Sequence, residues 1–244
     1  MSVIGLGTVK FGRNQGVKYP HAFQLPTDYE IENLLDCAAS LGVNLLDTAP
    51  AYGTSEERLG NILGNKRQDW IITTKVGEEF IDGASHFDFS ENAVKHSIER
   101  SLQRLKTDYL DIVLVHSNGD DKKIIEEGIF SLLETYKQQG KIRAYGMSTK
   151  TIEGGLLTID CADIAMVTYH PAYTEERAII QYAQQKQKGI FIKKALASGH
   201  LQSLASENPV ADSLRFIFAE KGVTSVIIGT INAEHLRENV KSVV

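Results

Sequence analysis

The stretch "YLDIVLVHSNGDDKKIIEEGIFSLLETYKQQG", Tyr109–Gly140, decides the fold. Its first eight residues are nearly unbroken hydrophobes, the pattern of a strand covered on both faces as in a parallel sheet. A polar turn follows. Residues 122–140 then read as one helix that stops at Gly140, a natural C-terminal glycine. A buried strand, a turn and a returning helix make one β/α unit.

The same unit recurs along the chain. Strands are expected at 2–8, 43–47, 70–75, 109–116, 142–148, 163–170, 190–194 and 223–229. Helices are expected at 27–42, 55–64, 90–105, 122–140, 151–159, 174–189, 211–222 and 232–244. Thr27 and Glu30 form a capping box for the first helix. Ser90 caps the third, whose apolar stripe is Val94, Ile98, Leu102 and Leu105. Gly154 and Gly155 mark 151–159 as a weak helix. Strict alternation implies parallel strands with right-handed crossovers. Eight units in 244 residues predict an α/β fold, a closed (β/α)8 TIM barrel forming a single domain over 1–244. Gly5, Gly7 and Gly12 do not make GxGxxG, so a dinucleotide would not bind by the Rossmann device.

Composition narrows the function. The net charge is −5, with 42% hydrophobic and 23% charged residues, ordinary for a globular protein and unlike a basic nucleic-acid binder. No apolar run is long enough to span a bilayer, and the first residues lack the pattern of a secretion signal. Cys37 and Cys161 have no metal spacing and read as two buried thiols in a reducing cytosol. The expectation is a cytoplasmic protein, monomeric or weakly homo-oligomeric, without nucleic-acid or membrane partners.

In a TIM barrel the active site lies at the C-terminal ends of the strands. The second strand ends on Asp47, the third on Lys75, the fourth on His116. Each alone reads as a residue where the chain meets water. Three on neighbouring strands form a cluster, and Tyr52 follows on the loop after Asp47. A lysine beside the tyrosine is expected to lower its pKa from about 10, making Tyr52 a general acid. His116 would orient a carbonyl oxygen. No activated nucleophile and no HExxH spacing occurs. The set suits carbonyl reduction, with hydride from a cofactor. Metal-dependent hydrolysis or sugar-phosphate isomerisation through His116 and His170 fits less well, because the first strand offers no ligand.

The segments "LLDTAPAYGTSEERLG", "ITTKVG", "LDIVLVHS", "KIRAYGMS", "VTYHP" and "VIIGTINAEHLRENV" resemble successive signatures of the aldo-keto reductase superfamily over nearly the whole chain. The resemblance implies a (β/α)8 barrel, NADPH as usual reductant, NAD as an alternative, and a small carbonyl substrate. It implies Tyr52 as acid, Lys75 and Asp47 as its tuning pair, and His116 as the orienting group. It places Ser148 and Thr149 at the nicotinamide carboxamide, with Met166 where the family commonly has glutamine. Lys193 stands where an aromatic often stacks, and Lys193 with Lys194 would meet the pyrophosphate. Thr230, Asn232, His235, Glu238 and Asn239 fall in the adenosine segment. Gly229 and His235 replace frequent basic residues there, which weakens a strong preference for NADP, and Arg237 would point elsewhere. Measured against the family, the N-terminal hairpin and C-terminal tail are short or absent, implying an open pocket. Residues 77–89, with Phe80, His86 and Phe87, are the expected pocket wall. A non-catalytic NADP-binding barrel with a sensing role is the alternative.

Overall fold

The structure is a computed structural model that describes residues 1–17, 19, 22–197 and 207–243. Eight parallel strands close into a barrel: β1 (Ile4–Gly7), β2 (Leu45–Asp47), β3 (Ile71–Val76), β6 (Leu110–His116), β7 (Ile142–Ser148), β8 (Ile164–Thr168), β9 (Gly189–Lys193) and β10 (Ser225–Ile228), which returns to β1. The remaining strands, β4 (Glu78–Ile81) and β5 (Ala84–Phe87), form a separate antiparallel hairpin. This is the TIM barrel that the alternation predicts.

The helices lie between the strands: α1 (Val9–Gly12), α2 (Asp28–Ser40), α3 (Ser55–Leu63), α4 (Glu91–Arg104), α5 (Asp121–Glu126), α6 (Ile129–Gln138), α7 (Ile152–Cys161), α8 (Arg177–Lys186), α9 (Pro209–Phe218) and α10 (Ala233–Lys241). Thr27 and Glu30 form the expected capping box on α2. The Ser90 hydroxyl accepts from the Ala93 amide on α4. Val244, at the end of the expected last helix, lies outside the described residues.

Period-two alternation sorts every barrel strand into an inner and an outer face. Leu45, Ile112, Leu114, Ile164, Met166 and Phe191 fill the lumen together with Ile71, Ala144 and Ile227. Their sequence neighbours Leu46, Ile72, Val113, Val115, Ala165 and Ile192 face the helices in the larger core. The same parity sends Asp47, Lys75, His116, Ser148 and Lys193 inward at the C-terminal ends of their strands, level with the uppermost apolar residues Leu114 and Met166. The apolar layer therefore forms the floor of a site at the C-terminal mouth.

Several expectations need correction. Residues 122–140 form two helices, because Gly128 adopts φ +90°, a left-handed conformation that interrupts the α-helical ladder. Helix α7 continues through its two glycines to Cys161, two residues beyond the expected end. A Cβ at Gly154 would sit 2.1 Å from Asp121 Cβ, and one at Gly155 2.2 Å from Ile179 Cδ1. They let α7 pack against its neighbours. Cys37 is buried but Cys161 is exposed. Residues 77–89 are not an open loop: Asp82 and Gly83 both have positive φ, the type I′ turn of a tight hairpin. No helix among the described residues is long and apolar enough to cross a membrane.

The loop after β2 is fixed by close backbone contact. Pro50–Tyr52 form a single 3-10 turn, and Gly53 follows at φ +63°. A Cβ there would lie 2.2 Å from the Gly12 carbonyl oxygen. Gly53→Ala is expected to cost about 2–3 kcal/mol from backbone strain and clash. Urea denaturation should show a lower midpoint with an unchanged slope.

Candidate active site

Strand registers assemble the site. Asp47 on β2 pairs with Thr73 on β3, and Lys75 on β3 pairs with Leu114 on β6. His116, Ser148 and Met166 stand level across β6, β7 and β8. Asp47, Tyr52, Lys75, His116, Ser148, Met166, Lys193, Lys194 and His235 line one cavity of about 570 Å³.

Lys75 is the hub. It is 1% exposed, and Nζ donates to Asp47 Oδ1 at 2.7 Å, the Thr48 carbonyl at 2.9 Å and Tyr52 Oη at 3.1 Å. Three acceptors satisfy all three ammonium protons. The Tyr52 hydroxyl donates weakly to Asp47 Oδ2 at 3.5 Å. Its ring meets that of His116 edge-on, with centroids 6.4 Å apart. The four residues expected to act together do lie together.

The electrostatics differ from expectation in one respect. Tyr52 is pushed well above the usual phenol value, first by burial and then by the Asp47 carboxylate, with Tyr19 and Glu78 adding to the rise. The sequence suggested a fall driven by Lys75. Burial is the larger reason for the difference, and the ion pair adds to it, because Asp47 answers the lysine charge at close range. Tyr52 is therefore a fully protonated phenol at neutral pH. It holds the proton that a general acid must give, and the Lys75 contact is in place to stabilise tyrosinate afterwards.

The β4–β5 hairpin supplies a group that the sequence reading missed. Glu78 Oε2 lies 2.6 Å from His116 Nδ1, although off the N–H axis, so alignment is imperfect. Glu78 Oε1 accepts from the Ser85 hydroxyl at 2.6 Å. Burial raises the Glu78 carboxyl, but the His116 contact, Ser85 and Arg13 outweigh it and bring it to about 2. An ionised carboxylate at this distance favours a proton on Nδ1. Burial, with Lys75 and Lys193, holds His116 below 6.5, while Glu78 opposes the fall. The expected wall residues lie elsewhere. The Arg13 guanidinium stacks on Phe80 at 3.4 Å, Phe87 stacks on Phe89 and His86 is exposed. None of the three lines the cavity. The Asp82-Gly83 pair was the signal for the hairpin; no sequence pattern tied Glu78 to His116.

The remaining predicted residues divide. Lys193 turns inward, its Nζ donating to Ser148 Oγ at 2.9 Å and to the Thr149 carbonyl at 2.6 Å. The Thr149 hydroxyl is buried without a partner and does not line the cavity. Lys194 lies at the rim with φ +56°. Asn232 caps α10, its Oδ1 accepting from the Glu234 and His235 amides. Thr230 Oγ1 accepts from the Asn232 amide. Neither Thr230 nor Asn232 lines the cavity, so part of the helix terminus expected to meet a phosphate is already satisfied. Asn239 is buried and Glu238 exposed beyond the cavity. Arg237 pairs with Glu234 at 2.6 Å, away from the site. Lys10 and Tyr19, not singled out in the sequence, line the opposite side, with Lys10 Nζ 4.1 Å from the Tyr19 ring centroid.

The cavity lining offers the polar and cationic groups that a phosphate-bearing cofactor needs, among them Ser148, Lys193, Lys194, Lys10 and His235. The cavity runs from the tetrad past Ser148 and Met166 to Gly229 and His235, with Lys10 and Lys194 along the way.

Three comparisons with known proteins bear on this geometry. A family model described as "Aldo/keto reductase family" matches residues 3–213. A crystal structure of a Pseudomonas aeruginosa protein assigned to the aldo-keto reductases is 50% identical, covers 99% of this chain and 89% of its own, and superposes with a TM-score of 0.90. The uncharacterized oxidoreductase YqkF of Bacillus subtilis is 29% identical over 99% of this chain and 87% of its own length. Methylglyoxal reductase DkgB of Escherichia coli O157:H7 is 29% identical over 90% of this chain and 84% of its own length.

The raised Tyr52 has a direct spectroscopic consequence. Tyrosinate absorbance of the folded protein up to pH about 10 should be the same in wild type and Tyr52→Phe. A difference below that pH would mean that Lys75, not burial and Asp47, governs the phenol.

Proposed function

Because the chain belongs to the aldo/keto reductase family, we propose that it is an NAD(P)H-dependent reductase of small aldehydes or ketones, with Tyr52 as the proton donor. The observation that carries this reading is the Lys75 hub, which holds a protonated, half-buried phenol beside Asp47 in the cavity. When bound, the nicotinamide supplies the hydride. Ser148, Lys193, Lys194 and His235, which line the cavity, are the proposed cofactor contacts, with NADPH the usual reductant and NADH an alternative.

The roles of the side chains follow from their surroundings. Tyr52 gives its proton to the carbonyl oxygen as charge develops there. Lys75 then faces a tyrosinate at 3.1 Å, and its charge lowers the cost of forming one. Asp47 pairs with the Lys75 ammonium at 2.7 Å, with both side chains nearly inaccessible to water. His116 donates to the same oxygen through Nε2 when both ring nitrogens carry protons, a form that Glu78 favours and burial opposes. Glu78 acts through His116 and is a positioning residue. A protein that only binds the cofactor has no use for a lysine, an aspartate and a phenol so joined, which disfavours the sensing alternative.

The purified protein is expected to oxidise NADPH when given reactive aldehydes. Tyr52→Phe should lower kcat by about 10²–10⁴-fold, the usual worth of a positioned acid, while fluorescence titration shows unchanged cofactor affinity. Wild-type turnover in Tyr52→Phe would overturn the acid assignment.

The imidazole adds a pH dependence. Its donor form is lost as pH rises through a His116 pKa below 6.5, so kcat/KM should fall with rising pH across that region. Glu78→Gln removes the carboxylate that supports the imidazolium, so the limb should move to lower pH. A limb unmoved by Glu78→Gln would separate Glu78 from the reaction.

A further inference from the structure

One cation in the cavity has no part in the proton transfer. Lys193 ends β9, and its side chain enters the cavity on the Ser148 side. Its two hydrogen-bond acceptors, the Ser148 hydroxyl and the Thr149 carbonyl, are uncharged. Among the described residues no carboxylate forms an ion pair with it. Lys75, the fully buried lysine of the site, is by contrast neutralised by Asp47 at 2.7 Å. Lys193 thus brings a net positive charge to the cavity wall.

The position of that charge bears on the cofactor. Hydride transfer needs the donor carbon about 3–3.5 Å from the carbonyl carbon whose oxygen meets Tyr52. The ring that carries the hydride must therefore lie close to Tyr52 and His116. The wall beside His116 is Ser148, then Met166, by strand register, and Lys193 Nζ is one hydrogen bond from Ser148. The reduced nicotinamide ring is neutral. Once it has given up a hydride, a proton with two electrons, to the carbonyl carbon, it carries a positive charge.

We propose that Lys193 makes the cleft select the redox state of its cofactor, accepting the neutral reduced nicotinamide and repelling the cationic oxidised one. This rests on the reductase reading above. A unit charge near a low-dielectric wall is worth about tenfold or more in affinity. The effect weakens the grip on spent cofactor and disfavours alcohol oxidation. It also gives a reason for a lysine at a place where the family often has an aromatic.

The charge is titratable. Burial is the largest influence on Lys193 and lowers it to about 8, with Lys194 and Lys150 pulling the same way and Glu176 and Asp121 opposing. Asp47, Tyr52, Lys75, His116, Lys10, Tyr19 and His235 are the other ionisable groups facing the same cavity, with Glu78 behind His116. Below about pH 8 the ammonium is present and the selection operates. Above it the selection fades, so affinity for the oxidised cofactor rises with pH.

The test is separate titration of NADPH and NADP+ by calorimetry at pH 7 and pH 9.5, on wild type, Lys193→Met and Lys193→Arg. Wild type should favour NADPH by about tenfold or more at pH 7 and lose most of that preference at pH 9.5. Lys193→Arg, with a charge that does not titrate there, should keep the preference at both. Lys193→Met should show a weak, pH-independent preference. A Lys193→Met ratio equal to wild type, or a Lys193→Arg ratio that falls with pH as wild type does, would overturn the inference and leave the reductase reading intact. Absence of saturable binding of either cofactor to wild type would sink both.

Discussion

The ion pair between Lys75 and Asp47 is the constraint on which the site depends. Both side chains are nearly inaccessible to water, and burying two charges costs more than their attraction returns unless every remaining donor and acceptor is met. Here the remaining donors of Lys75 are met by the Thr48 carbonyl and Tyr52 Oη. The pair therefore fixes three neighbours at once: the end of β2, the residue after it and the loop that carries the phenol. Losing either partner would leave an isolated charge above an apolar floor.

That arrangement, with the burial of the phenol, explains why Tyr52 keeps its proton. A lone lysine beside a tyrosine would pull its pKa down, whereas a lysine already matched by a carboxylate does so far less. The site holds its proton in the resting state and its stabilising charge in reserve. The second ionised contact, Glu78 with His116, follows a similar logic at the cavity edge, where a hairpin outside the barrel delivers the carboxylate. Lys193 differs from both because its partners are neutral oxygens. The proposed redox selectivity comes from that difference.

Much of the fold was legible along the chain because parallel barrel strands are buried on both faces and the returning helices are amphipathic. The two patterns alternate without interruption. Asp47, Lys75 and His116 were legible for a related reason: each ends an apolar run, and strand ends share one mouth. The hairpin was less visible, since its outer residues Ile81–Phe87 are exposed and carry no core pattern, yet Asp82-Gly83 did mark its turn. The split at Gly128 was hidden because the apolar spacing continues across it. The inward turn of Lys193 and the capping of α10 by Asn232 were not visible as such, since each side chain had a solvated alternative.

By itself the sequence determined the order of elements, the parity of each strand and the ionisable residues at the strand ends. These are local properties, set by the two-residue and 3.6-residue periods of the backbone. Only the tertiary structure decided how the charges pair: Lys75 with Asp47, His116 with Glu78, and Lys193 with the uncharged Ser148 and Thr149. Pairing depends on register between strands and on burial. Electrostatic energy in a poorly solvated cavity varies with distances of a few ångströms, which the order of residues along the chain does not specify.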